Sequence, residues 1–357
     1  MKAVSISPDS IDSLEVQFEK KAELTEKERV RRISAVIRYA ESKLRRQFPL
    51  LQKQNLLGLL IFAVSCLGFT FNAVLYLKDF IPAWMCIIGN AVYASFLHEL
   101  EHDLIHNLYF KTRPAIQNSL MWGIWFLRGN LISPWYRRMI HLIHHKESGQ
   151  KNDIEERLIG NGMKWGFKRL IITLDPLMTQ LRFPEFIKEI PSFNIWSIWR
   201  ATFPIFIIFN AIWISFIICK SWEIFNLSSY GWQMPFSPAY TAIVSALFVV
   251  LVAPNMLRQA CLTFISSSCH YYGDIPKADL IRQMQVLHPW YLIPFQLFCF
   301  NFGSTHIIHH FVVNQPFYIR QLVAPLAHAA MQKYGIRFND IQTLMRANRF
   351  SSTSSIS

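Results

Sequence analysis

Four runs of the chain contain no charged residue and approach the length of a bilayer crossing, about 17–25 residues. They are residues 56–77, 81–97, 201–219 and 239–257. The second is short for a span, but a membrane helix can continue into a cytoplasmic helix that carries polar residues. Two further apolar runs, 115–127 and 289–300, are too short to cross and predict interfacial or re-entrant pieces. Elsewhere the pattern is amphipathic. Residues 25–47 place Ile33, Val36, Ile37, Ala40 and Leu44 at helical spacing among basic residues, which predicts a helix lying on the membrane surface. Residues 163–183 read in the same way. The tail SSTSSIS has the composition of a disordered segment.

Composition and charge sharpen this picture. Charged residues are 17% of the 357, well under the roughly one quarter usual in soluble domains. The net charge of +13 would suit a nucleic-acid partner, but its distribution argues against one. All Lys and Arg except Lys78 and Lys220 fall in residues 1–55, 98–200 and 258–357, the segments flanking the apolar runs. By the positive-inside rule these segments and both termini face the cytoplasm, across four spans. All twelve histidines then lie on that side. The charged first 50 residues predict no cleavable signal at the start. The six cysteines form no C-x-x-C pair, so buried thiols are expected rather than a rubredoxin-like iron or zinc-ribbon site.

Histidine spacing carries the chemistry. "HELEHDLIH" sets His98, His102 and His106 four apart; "HLIHH" supplies His141, His144 and His145; "HIIHH" supplies His306, His309 and His310. On a helix, positions i, i+3 and i+4 share a face, so each cluster can aim its imidazoles at one point. Eight or more convergent imidazoles exceed the capacity of one ion, which implies two metals. Glu99, Glu101 and Asp103 are candidates to orient a ligating histidine such as His106, and a surface position is expected for at least one of them. His288 and His328 stand apart and read as structural or exposed.

Together these clusters resemble the histidine boxes of the membrane fatty acid desaturase and hydroxylase superfamily, over roughly residues 56 to 320. The resemblance implies an all-α integral membrane protein of about four transmembrane helices with a cytoplasmic helical cap. Its parts would be a cytoplasmic amphipathic region (1–54), the desaturase-like membrane domain (55–320) and a C-terminal helix and tail (321–357). It further implies two non-haem irons, O2 as co-substrate and an external electron donor of ferredoxin, rubredoxin or cytochrome b5 type with its reductase. The substrate would be a fatty acid or fatty acyl chain, in contact with membrane lipid. Matching box by box, the implied ligands are His98 and His102, then His141, His144 and His145, then His306, His309 and His310. "SSSCH" implies His270 as an extra ligand, with Ser266 where that family carries Asn. His106 is either a further ligand or a residue that supports one.

The same ligands serve desaturation, hydroxylation and oxidative decarboxylation to a terminal alkene. Desaturation fits best, because "HLIHH" and "HIIHH" do not match the later boxes of alkane hydroxylases; carotenoid oxygenation shows fewer points of resemblance. A histidine-rich metal transporter is disfavoured, since no span interior holds a histidine or a carboxylate.

Overall fold

The computed structural model describes residues 24–129 and 132–351. The first helix, α1 (Glu26–Gln47), starts at a capping box between Thr25 and Glu28 and ends with Arg45 and Arg46 in its last turn, matching the helix dipole at both ends. Its apolar stripe, Ile33, Ile37 and Ala40, does not face lipid as the pattern suggested. It is buried in a core shared with Ile319, Val323 and Ala327 of a later helix. Amphipathic spacing demands an apolar neighbour, and here that neighbour is protein.

Helices α2 (Gln54–Leu77) and α3 (Ala83–Ile105) pack closely as an antiparallel hairpin. A Cβ on Gly68 would lie 2.1 Å from the Tyr93 ring, so this glycine permits the close approach. The outer face of α2 exposes Leu56, Leu59, Leu60, Val64, Leu67 and Phe71, a stripe suited to a lipid environment. Helix α3 does not stop at the end of its apolar run. It continues through His98 and His102 and carries these histidines on the same helix as the apolar run. Helices α4 (Pro114–Arg128) and α5 (Pro134–Glu147) follow, with α4 burying Leu120, Met121 and Ile124 against α3.

Short helices α6 (Ile154–Leu158), α7 (Phe167–Leu174), α8 (Phe183–Glu189) and α9 (Ile195–Thr202) then form a collar. The single amphipathic helix expected over 163–183 is instead broken after Leu174. Pro176 disfavours the α conformation at Asp175, whose side chain caps the 3-10 turn Pro176–Arg182.

Helices α10 (Ile205–Ile224) and α11 (Pro238–Cys269) complete the membrane part. Among the described residues, three helices are long and apolar enough to cross a membrane: α2, α10 and α11. α11 contains a π turn at Phe248–Val252, followed by Pro254. Proline has no N–H to give to the Val250 carbonyl one turn back. The buried Asn90 of α3 donates to that carbonyl at 3.0 Å and accepts from Asn72 of α2 at 3.1 Å. One polar bridge thus ties three apolar helices together.

Beyond α11 lie α12 (Ile293–Leu297), α13 (Phe302–Phe311) and α14 (Phe317–Lys333). A two-residue parallel pairing, β1 (Gln285–Val286) with β2 (Arg337–Phe338), fastens the segment after α14 to the one between α11 and α12.

Candidate metal centre

Four helix segments converge: the C-terminal end of α3, α5, the end of α11 and α13. His102, His106, His141 and His309 form one group, and His144, His270, His306 and His310 a second; within each, the ligand nitrogens all lie within 4.8 Å of one another. His145 joins the first group, its Nε2 3.0 Å from His309, 3.2 Å from His141 and 3.3 Å from His106. His106 is therefore among the converging residues, at the C-cap of α3. His98 is not: it is buried one turn earlier and belongs to neither group. His288 and His328 also stand outside, bonded to Asn339 and to the Ser304 carbonyl.

The distances fit metal ions better than hydrogen bonds. His141 and His144 direct Nδ1 at carboxylates, Glu155 at 2.6 Å and Asp153 at 2.9 Å. His270 Nδ1 lies 2.8 Å from the Ser266 carbonyl and 3.1 Å from Glu156. A neutral imidazole that donates through Nδ1 carries a lone pair on Nε2. Those lone pairs face other imidazole nitrogens, as for His141 with His145 at 3.2 Å and His144 with His310 at 3.3 Å. A metal–imidazole bond of about 2.0–2.1 Å sets neighbouring ligand nitrogens about 3.0–3.4 Å apart. The observed 3.0–3.3 Å separations match those edges.

Electrostatics agree. Burial, reinforced by the surrounding imidazoles, holds His306, His309 and His310 well below the ordinary histidine range, leaving them neutral and able to ligate. His144 differs: burial opposes its charge, but Asp153 outweighs burial and pushes the group up to about 9, so this imidazole would have to release its Nε2 proton on binding a metal.

The orienting carboxylates come from one short segment, Asp153 to Glu156, which the sequence reading did not assign. The available signal was a cluster of acids, Asp153, Glu155 and Glu156, closely following the second histidine cluster. Ser266 donates to Glu156 at 3.2 Å and so supports His270 from behind. By contrast, Glu99, Glu101 and Asp103 do not orient His106, and all three are buried rather than at the surface. Glu101 pairs with Arg128 and Arg137, each at 2.8 Å. Glu99 and Asp103 pair with Arg320 at 3.2 and 3.0 Å. Four residues apart, Glu99 and Asp103 share one face of α3, while Glu101 faces away.

The family model described as fatty acid desaturase matches residues 78–342, which contain every histidine of the site. The chain belongs to the fatty acid desaturase family. No curated protein matches it. The membership makes the cavity beside the histidines pertinent. It has a volume of about 170 Å3 and is lined by His102, His141, His144 and His306 together with Ile140, Ile172, Leu262, Phe206 and Trp199. An acyl chain requires such apolar walls.

If the carboxylates orient the ligands, Asp153→Ala should lower iron affinity about 10–100-fold, as loss of such a partner commonly does. Asp153→Asn, which keeps an acceptor, should lie between. Iron analysis after graded dialysis against chelator checks this; affinity unchanged in Asp153→Ala would remove the orienting role.

Proposed function

We propose that this desaturase-family protein is an integral membrane enzyme that uses two non-haem irons and O2 to desaturate fatty acyl chains. The observation that carries the reading is two groups of histidine nitrogens, spaced as ligands of two ions, beside an apolar cavity that several of them line. His102, His106, His141, His145 and His309 would hold one iron and His144, His270, His306 and His310 the other. Iron so bound supplies O2 activation and hydrogen removal from an unactivated C–H bond. The stoichiometry is –CH2–CH2– plus O2, two electrons and two protons, giving –CH=CH– and two waters. The electrons come from an external donor protein and its reductase.

The chain's own residues supply the rest. Asp153, Glu155 and Glu156 keep protons on Nδ1 and lone pairs on Nε2. Ile140, Ile172 and Leu262 exclude water around the chain. Arg128 and Arg137 neutralise Glu101 within the bundle. The deciding experiment is expression in a heterologous host with lipid and headspace hydrocarbon profiling, alongside iron analysis of the purified protein. About two irons per chain and a new unsaturated acyl product are expected. One zinc per chain with no iron-dependent product would exclude the proposal.

The charge distribution supports four spans, with α3 as the second and both termini cytoplasmic. Cysteines placed after Lys78 and after Lys220 should then be labelled from the side opposite the termini. Labelling of both from the cytoplasm would overturn the topology.

A further inference from the structure

His98 is 2% exposed and lines the cavity, yet it belongs to neither ligand group. Neither of its ring nitrogens hydrogen-bonds to any described residue. The nearest acid, Glu99, is 4.0 Å away and already paired with Arg320. Burying a polar group without a partner costs free energy, so such an imidazole is expected to meet a ligand. The other buried polar side chains on the cavity wall outside the two groups are engaged. Arg137 lies between Glu101 and Glu155, Gln259 donates to Thr263, Thr202 bonds to the Trp199 carbonyl, and Ser266 bonds to Glu156. His98 alone among them has its full hydrogen-bonding capacity in hand.

The position of this donor determines which end of the substrate it meets. His98 precedes the ligand His102 by one helical turn, a rise of about 6 Å. The cavity wall carries one cation, Arg137, already paired with Glu101 and Glu155, and uncharged polar groups such as Thr179, Gln180 and Thr202. A nucleotide or phosphate headgroup would require cations free to meet it. The polar end of the substrate is therefore small and finds its partner beside the histidine groups.

Resting on the proposed function, we propose that His98 is a substrate-positioning residue that holds the carboxyl group of a free fatty acid. The imidazole N–H donates to a carboxylate oxygen, and the hydrocarbon tail extends toward Trp199. The C–H bonds nearest the two histidine groups are then those on the carbons beside the carboxyl group.

The test uses purified full-length protein with hexadecanoic acid and its methyl ester as probes. His98→Ala should keep about two irons per chain but bind the acid about tenfold or more weaker, the loss expected for a hydrogen bond to a charged group. Binding of the ester should change little, KM for the acid should rise more than kcat falls, and His98→Gln, which keeps a donor, should recover part of the affinity. Wild-type product should be altered at carbons 2 or 3. Iron lost from both variants would make His98 a ligand and overturn the inference. So would unchanged acid affinity in His98→Ala, or oxidation in the middle of the chain. Failure of the proposed function itself is distinguishable: wild-type protein would then lack iron or turn over no acyl substrate.

Discussion

Replacing His309 by alanine is expected to abolish turnover and lower iron from about two to about one or fewer per chain. His309 Nε2 lies 3.0 Å from both His106 and His145, so its loss removes a nitrogen from the centre of the group proposed to hold one iron. No neighbouring carboxylate is placed to substitute, because the acids near the site are engaged with arginines or with Nδ1 atoms. His328→Ala is the control. Its ring bonds to a backbone carbonyl away from both groups, so iron content should stay at the wild-type level. His106→Ala and His145→Ala should behave as His309→Ala does. Plasma-source metal analysis and oxygen-consumption assays on the same preparations read the result. Full activity and two irons in His309→Ala would dissolve the first group.

The histidine clusters were legible because they are local: i, i+3 and i+4 spacing fixes a shared face wherever the helix lies. Spacing could not rank His98, His102 and His106, which drift only slightly around α3 and share a side. Where the neighbouring helices end decides which of them meets the other imidazoles. The partners of Glu99, Glu101 and Asp103 were illegible for another reason. Arg128, Arg137 and Arg320 stand far from them in sequence and are brought near only by tertiary packing. The same limit explains α1. A stripe such as Ile33, Ile37 and Ala40 records that an apolar face exists, and the nature of its neighbour depends on where α14 packs. For α2, the long uncharged run agrees with a helix whose leucines are exposed among the described residues.

Arg320→Leu is expected to destabilise the folded protein by about 3–5 kcal/mol, the usual cost of removing one member of a buried ion network. Arg320 is 1% exposed and bridges Glu99 and Asp103 of α3 from α14. Asp103 has further duties: it accepts from the Phe317 N–H at the start of α14 at 2.9 Å and from the Tyr109 hydroxyl at 3.1 Å. An anion there suits the helix N-terminus and answers a donor that has no partner within the helix. Removing the guanidinium leaves two buried carboxylates facing each other without a cation, and they would have to take up protons or draw in water. Because α3 carries His102 and α14 packs against α13, which carries the third cluster, the loosened contact should also reduce iron retention. Arg320→Lys should recover part of the stability, since an ammonium restores the charge but sits on a shorter side chain than the guanidinium whose Nη2 meets both acids. Thermal unfolding in detergent, followed with iron content on the same samples, checks the ordering wild type, Arg320→Lys, Arg320→Leu. Wild-type melting behaviour in Arg320→Leu would mean that the two acids are held by something other than this bridge.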